Sequence, residues 1–367
     1  MGNDQLLKKF LEEDTIALNE DELLWQSPRT LPETTAFDRI DGMLLGLAIG
    51  DALGNTSESI NPDDRGLRFG EITGYLPNRY ADDRKVGLPS DDTQMAFWAV
   101  EVLLTDGHLI PDHMASRFSC EQIFGMGSSV RQFMRNYKDQ QLPWHQAGAA
   151  SAGNGALMRI APVVLPHLRH PSCELWADAA FLGMVTHNDR ASTAACVAFT
   201  AILWEVFCMD HAPEPTWWLE KYCQIAAPLE GSGTRYPSRR TNLHYNGPIW
   251  KFTLEQVQRA WDENWTSLQA SNTWGSGAYL LETIPNVLLI LMNYAHDPEQ
   301  AIIRAVNDTR DNDTVAAIVG AAIGALHGKS FLPERWIKGL LGRTNASNDG
   351  HVFGLIQQVK QKFWGLQ

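Results

Sequence analysis

From Asp38 onward apolar residues recur every three to four positions, with Ile40, Met43, Leu44, Leu47 and Ala48 on one stripe. That spacing is the buried face of an α-helix. A second stripe on the same segment carries Gly42, Gly46, Gly50 and Gly54, each four residues after the last. Glycine inside a helix costs about 1 kcal/mol relative to alanine, so the stripe needs a compensating role, and close approach of a second backbone supplies one. Residues 314–328 repeat the pattern, with Val315, Ile318, Val319, Ala322, Ile323 and Leu326 on the apolar stripe and Gly320, Gly324 and Gly328 four apart. The two glycine stripes predict a pair of helices that cross in the core. Further helical periodicity covers about 92–105, 112–137, 173–185, 191–208, 253–268, 278–296 and 298–306, and no convincing alternating strand competes with it. The expected fold is all-α, interrupted by Gly-, Pro- and Asn-rich loops near 55–90 and 228–250.

Residues 1–36 differ in character from the rest of the chain. They hold eight acids and three bases, a short helical pattern at Leu6, Leu7, Phe10 and Leu11, and two prolines, Pro28 and Pro32, that close the segment. This reads as an acidic N-terminal extension of a main domain over 37–367. Such a segment buries little by itself, so it either docks on the body or waits for a partner, with Leu23, Leu24 and Trp25 as its anchors.

The 367 residues are 44% hydrophobic and 20% charged, and 43 acids against 30 bases leave a net charge of -13. A chain of this length buries a core without disulfides or a structural metal. The acidic balance repels phosphate backbones, which argues against nucleic-acid binding. Five widely spaced cysteines without a CxxC pair read as reduced thiols, and the acidic N-terminus lacks the apolar stretch of a signal peptide. These features predict a cytoplasmic protein. The longest apolar tract, Ala191 to Met209, is broken by Ser192, Thr193, Thr200 and Glu205, so a buried helix is expected there and no membrane span.

Candidate chemistry concentrates at two helix starts. Ser90, Asp91, Asp92 and Thr93 precede MAFWAVEVLL, and Asp311, Asn312, Asp313 and Thr314 precede VAAIVGAAIGAL. One Asp or Ser per helix is explained by N-capping. Two acids packed together, twice, repel one another unless a cation lies between them, and a hard divalent ion such as Mg²⁺ suits oxygen ligands. Arg235, Arg239 and Arg240 form a basic cluster in the 228–250 loop, which is read as a solvated charge run, with an acidic partner or a phosphate as the alternative.

GLAIGDALGNTSES at 46–59, SDDTQM at 90–95, GNGALMRIAP at 153–162, THNDRA at 186–191 and DNDTVAAIVGAAIGALHG at 311–328 occur in the order found in ADP-ribosylglycohydrolases. The chain resembles that family over about residues 38–340. The resemblance implies an all-α fold with a binuclear Mg²⁺ centre, Mn²⁺ being an alternative, that hydrolyses the bond between ADP-ribose and a modified side chain, often arginine. Carried across, it implies metal ligation by Ser90, Asp91, Asp92, Asp311, Asp313 and Thr314, and a substrate-side acid at Glu58. It also implies substrate contacts from Gly153, Asn154, Gly155 and Met158, with His187 and Asp189 bordering the same cleft. Read alone, the two glycines make a turn, Met158 is core and His187 is structural.

Glycosidic cleavage passes through an oxocarbenium-like transition state, which nearby carboxylates stabilise while one of them moves the proton. Asp92 or Glu58 is expected to do that proton work. Two positions depart from the family: Ser90 replaces a threonine and keeps the hydroxyl, and Thr309-Arg310 replaces a Gly-Gly pair, which is expected to shift the second acidic cluster. The implied partner is an ADP-ribosylated protein. Some relatives protect against ADP-ribosylating toxins, and residues 1–36 are a candidate plug for the cleft of such a transferase.

Overall fold

The computed structural model describes residues 2–365 and is helical almost throughout. Two short antiparallel hairpins are the strand content, Pro77–Asn78 with Arg84–Lys85 and Tyr236–Pro237 with Asn246–Gly247. The all-α reading therefore holds.

At the centre lie the helices Phe37–Gly54 and Asn312–His327, antiparallel and in backbone contact. A Cβ added at Gly46 would overlap the Gly320 carbonyl, one at Gly50 the Ala316 carbonyl, and one at Gly324 the Gly42 carbonyl. The pairs 42/324, 46/320 and 50/316 step by four in opposite directions, so the glycine stripes set both separation and register. That register is what matters for the site. It brings Gly54 against the Asp313 backbone, and so brings the end of one helix to the start of the other. Gly328, at φ +89°, ends the second helix within the same close approach: a Cβ at Gly42 would overlap its carbonyl carbon, and one at Gly328 would meet Asp38.

Observed helices Asp91–Asp106, Glu174–Met184, Arg190–Phe207, Leu280–Tyr294 and Pro298–Asp308 match the periodic segments closely. Arg190–Phe207 is apolar and long enough to cross a membrane, but 89% of its window is buried inside the protein, as expected of a core helix. Three readings need correction. The pattern over 112–137 is two helices, Pro111–Cys120 and Ser128–Met134, parted by a loop in which Gly125 takes φ +73°. The pattern over 253–268 is Ile249–Asp262 followed by Ser267–Trp274, the second opened by a Thr266–Gln269 capping box. A helix at Pro215–Glu230 went unread, and Pro62–Phe69 lies inside the expected 55–90 loop.

The N-terminal segment docks on the body. Leu7 and Phe10 of the helix Asn3–Glu12 are buried, and Phe10 packs with ring centroids 5.7 Å from both Trp144 and Phe181. Further along, Trp176 donates its indole N–H to Gln26 O at 2.7 Å and Trp204 donates to Arg29 O at 2.8 Å. Leu24 is buried and Trp25 half-buried.

Candidate metal centre and cleft

The start of Asp91–Asp106 is capped from outside its own chain segment. Asp51, fully buried on the Phe37–Gly54 helix, accepts from the Ser90 amide at 2.9 Å, the Ser90 hydroxyl at 2.6 Å, the Thr93 amide at 3.0 Å and the Thr93 hydroxyl at 2.5 Å. Asn55 adds a fifth donor at 3.0 Å. A carboxylate in the middle of an apolar helix survives burial only with such compensation. Asp51 was absent from the sequence-derived site, although an acid inside a small-residue helical stripe was a readable signal.

Two groups of carboxylates form around this cap. Oxygens of Asp51, Asp92 and Asp313 lie within 4.8 Å of one another, as do those of Glu58, Asp311 and Asp313. Asp313 belongs to both groups. Asp92 is buried with its Oδ1 unpartnered, while its Oδ2 accepts from the Ser90 hydroxyl at 3.1 Å. Burial, reinforced by the neighbouring acids, pushes Asp91, Asp92 and Asp313 well above the ordinary carboxylate range. Asp311 is pushed up to about 7 by burial, against the hydrogen bond it accepts from Asn154 Nδ2 at 2.6 Å. Crowded acids, a shared carboxylate and an orphaned oxygen fit a divalent-cation centre, and they would be hard to keep ionised without one.

The other expected ligands are placed less uniformly. Ser90 adjoins the first group, through Asp51 Oδ1 and Asp92 Oδ2 at 2.6 and 3.1 Å. Asp91 is half-buried and lies outside both tight groups; its carboxylate approaches Gly125, although it shares the field of Asp51, Glu58 and Asp311. Glu58 sits at the open edge, its carboxyl directed to Asp311 and Asp313 and raised by desolvation and by the charge of Asp51.

On the far side of Asp311, Gly153 and Gly155 leave the space that the His187 ring fills, since a Cβ at Gly155 would stand 3.0 Å from His187 Cε1. Burial and the Arg159 charge hold His187 down at about 3, so the ring is neutral. Arg159 donates to Thr186 Oγ1, and that hydroxyl lies 2.8 Å from His187 Nδ1, which fixes the ring. Met158 is buried in the core. Asp189 caps Arg190–Phe207 and accepts from the Tyr236 hydroxyl at 2.9 Å.

The Thr309-Arg310 departure is absorbed by the backbone. Thr309 is extended at φ -122° and Arg310 is not among the positive-φ residues, so neither position requires glycine. Arg65, which sequence reading passed over, fixes this turn. Its buried guanidinium donates to the carbonyls of Ser57 and Ile60 on one side and of Val306 and Thr309 on the other. One side chain thereby ties the Glu58 loop to the turn that presents Asp311.

These elements define a helical scaffold around a cleft lined by buried acids whose grouping fits a metal site. The chain belongs to the ADP-ribosylglycohydrolase family, whose sequence profile matches residues 32–363. It is 26% identical over 320 residues to the ADP-ribosylarginine hydrolase Tri1 of Pseudomonas putida, covering 84% of this chain and 76% of that protein. It is also 26% identical to the ADP-ribosyl-[dinitrogen reductase] glycohydrolase of Rhodospirillum rubrum, covering 83% of this chain and 90% of that one. A solved structure described as an ADP-ribosylglycohydrolase-related protein complex superposes with a TM-score of 0.65 at 25% identity, over 89% of this chain and 98% of that chain.

Proposed function

We propose that the protein removes ADP-ribose from modified arginine of a target protein, in the cytoplasm, using two Mg²⁺ ions, with Mn²⁺ as a substitute. The observation that carries the proposal is Asp313, shared by two carboxylate groups: one acid common to two clusters is the arrangement that suits a pair of cations. When bound, such ions orient ribose hydroxyls and make water more nucleophilic at neutral pH.

The chain's own residues supply the rest. Asp51, Asp92, Asp311 and Asp313 place negative charge beneath a developing oxocarbenium ion. Glu58, at the open edge where a bulky polypeptide can reach, moves the proton to the departing guanidine nitrogen. Asp92 is too deeply enclosed for that role and holds the metal side instead. Asn154 orients Asp311, and His187 borders the cleft beside Gly155.

The test is ADP-ribose release from an arginine-ADP-ribosylated protein, with and without Mg²⁺, by the native chain and by Asp313→Asn. Loss of release in both cases supports the reading, and full activity of Asp313→Asn sinks the metal-centred assignment. A panel with other ADP-ribosyl linkages separates arginine from the alternatives. The toxin-plug role for residues 1–36 gains no support from their packing, because the apolar side chains such a plug would present are spent on the body.

A further inference from the structure

Outside the carboxylate groups, the cleft opens into a cavity of about 380 Å³ whose walls include Glu58, Ser276, Glu282 and Asp311 and three arginines, Arg239, Arg240 and Arg310. All three arginines are exposed, and their guanidiniums are held by neutral groups. Arg239 stacks 4.2 Å from the Tyr279 ring centroid, Arg240 donates to Asn272 O at 2.6 Å, and Arg310 donates to Ser59 O at 3.2 Å. Among the described residues none of the three is in an ion pair. Residues 231–250 contain three arginines and no acid, inside a chain of net charge -13.

The hairpin that carries Arg239 and Arg240 is anchored at its root. Glu230, buried, accepts from the Ile249 and Trp250 amides at 2.7 and 3.0 Å and from the Thr234 hydroxyl at 2.8 Å. Tyr236 ties the hairpin to Asp189, and Tyr279 donates to Pro237 O at 3.2 Å. The arginines therefore project from a fixed support.

Glu58, the residue assigned above to the departing guanidine, lines this cavity together with the three arginines. We infer that Arg239, Arg240 and Arg310 form a receptor for acidic side chains flanking the modified residue, so that the enzyme selects ADP-ribosylated sites in acidic sequence. This inference rests on the hydrolase reading above. Solvent-exposed ion pairs contribute modestly each, so the combined selectivity is about tenfold and weakens as salt screens it.

The experiment compares two fluorescent ADP-ribosyl-arginine peptides, one with glutamates and one with alanines around the arginine. Kd by anisotropy and KM by hydrolysis are measured with the Mg²⁺-loaded native chain, Arg239→Ala/Arg240→Ala, Arg310→Ala and Arg235→Ala. Arg235 lies on the same hairpin but outside the cavity, so it controls for net charge alone. The expected result is about tenfold preference for the glutamate peptide, lost in the double variant, reduced in Arg310→Ala, retained in Arg235→Ala and diminished at high salt. Equal binding of both peptides by the native chain overturns the receptor. So does a loss of affinity for free ADP-ribose in the double variant that matches its loss for peptide, since the arginines would then hold phosphate. If neither peptide is hydrolysed, the hydrolase reading fails, while the anisotropy ratio still decides whether the rim selects acids.

Discussion

The Ser90 hydroxyl donates to Asp51 Oδ1 at 2.6 Å, joining the start of one helix to the last turns of another across 39 residues of sequence. Through this bond the cap of Asp91–Asp106 and the floor of the carboxylate cluster are one unit. Ser90→Ala removes a donor to a buried carboxylate, and calorimetric titration should show Mg²⁺ affinity reduced roughly 10- to 100-fold. Ser90→Thr keeps the hydroxyl and should stay within about threefold of the native affinity. Equal affinity in all three proteins would remove Asp51 and Ser90 from the centre.

The glycine contact between the two central helices has a sign that can be tested. Gly46→Ala drives a methyl into the Gly320 carbonyl, and backbone cannot yield as a flexible side chain would. Chemical denaturation should show a loss of about 3 kcal/mol, accompanied by weaker Mg²⁺ binding because Asp51 and Asp313 shift relative to each other. Gly354→Ala, on an exposed helical face with nothing near its Cβ, should instead gain about 0.5–1 kcal/mol.

Glu58 and Asp92 should separate kinetically. Glu58→Gln is expected to lower kcat by about 10²–10⁴ while KM changes little, the signature of a lost proton donor. Asp92→Asn should weaken Mg²⁺ binding first, so that activity partly returns at high Mg²⁺. Identical profiles for the two variants would refute this division of labour.

Burial pushes the Glu230 carboxyl up to about 7, against the backbone amides of Trp250 and Ile249. A folded-state value above the unfolded 4.5 means the native protein holds the extra proton between those two values. Stability contributed by this group is therefore greatest at low pH and falls as pH rises through about 7, by at most about 3 kcal/mol. Urea midpoints at pH 5, 6, 7 and 8 should show that slope in the native chain and its loss in Glu230→Gln, on a lower baseline because one acceptor oxygen is gone.

The docked N-terminal segment is held by Asn188, the residue after His187. Its Oδ1 accepts from the Ala17 amide at 2.8 Å and its Nδ2 donates to Thr15 O at 2.9 Å. Asn188→Ala should cost about 1–2 kcal/mol in stability and raise KM several-fold with kcat nearly intact. An unchanged KM would show that the segment supports stability alone.

Much of the molecule was legible because it is written in local periodicity. The apolar and glycine stripes at 40–54 and 315–328, the paired acids at 91–92 and 311/313, and the helices that these acids open all derive from the 3.6-residue turn and from the repulsion of adjacent carboxylates. Tertiary structure decided what those patterns meet. It took Asp51 from an apolar stripe and made it the acceptor of five hydrogen bonds, and it broke the 112–137 pattern so that Gly125 could face Asp91. It also used Arg65 to tie two distant turns, laid residues 3–36 onto the body, and set Arg239, Arg240 and Arg310 around one cavity. Periodicity reports which face of a segment avoids water. Which partner satisfies a buried polar group depends on contacts between residues tens to hundreds of positions apart, and those exist only once the chain has closed on itself.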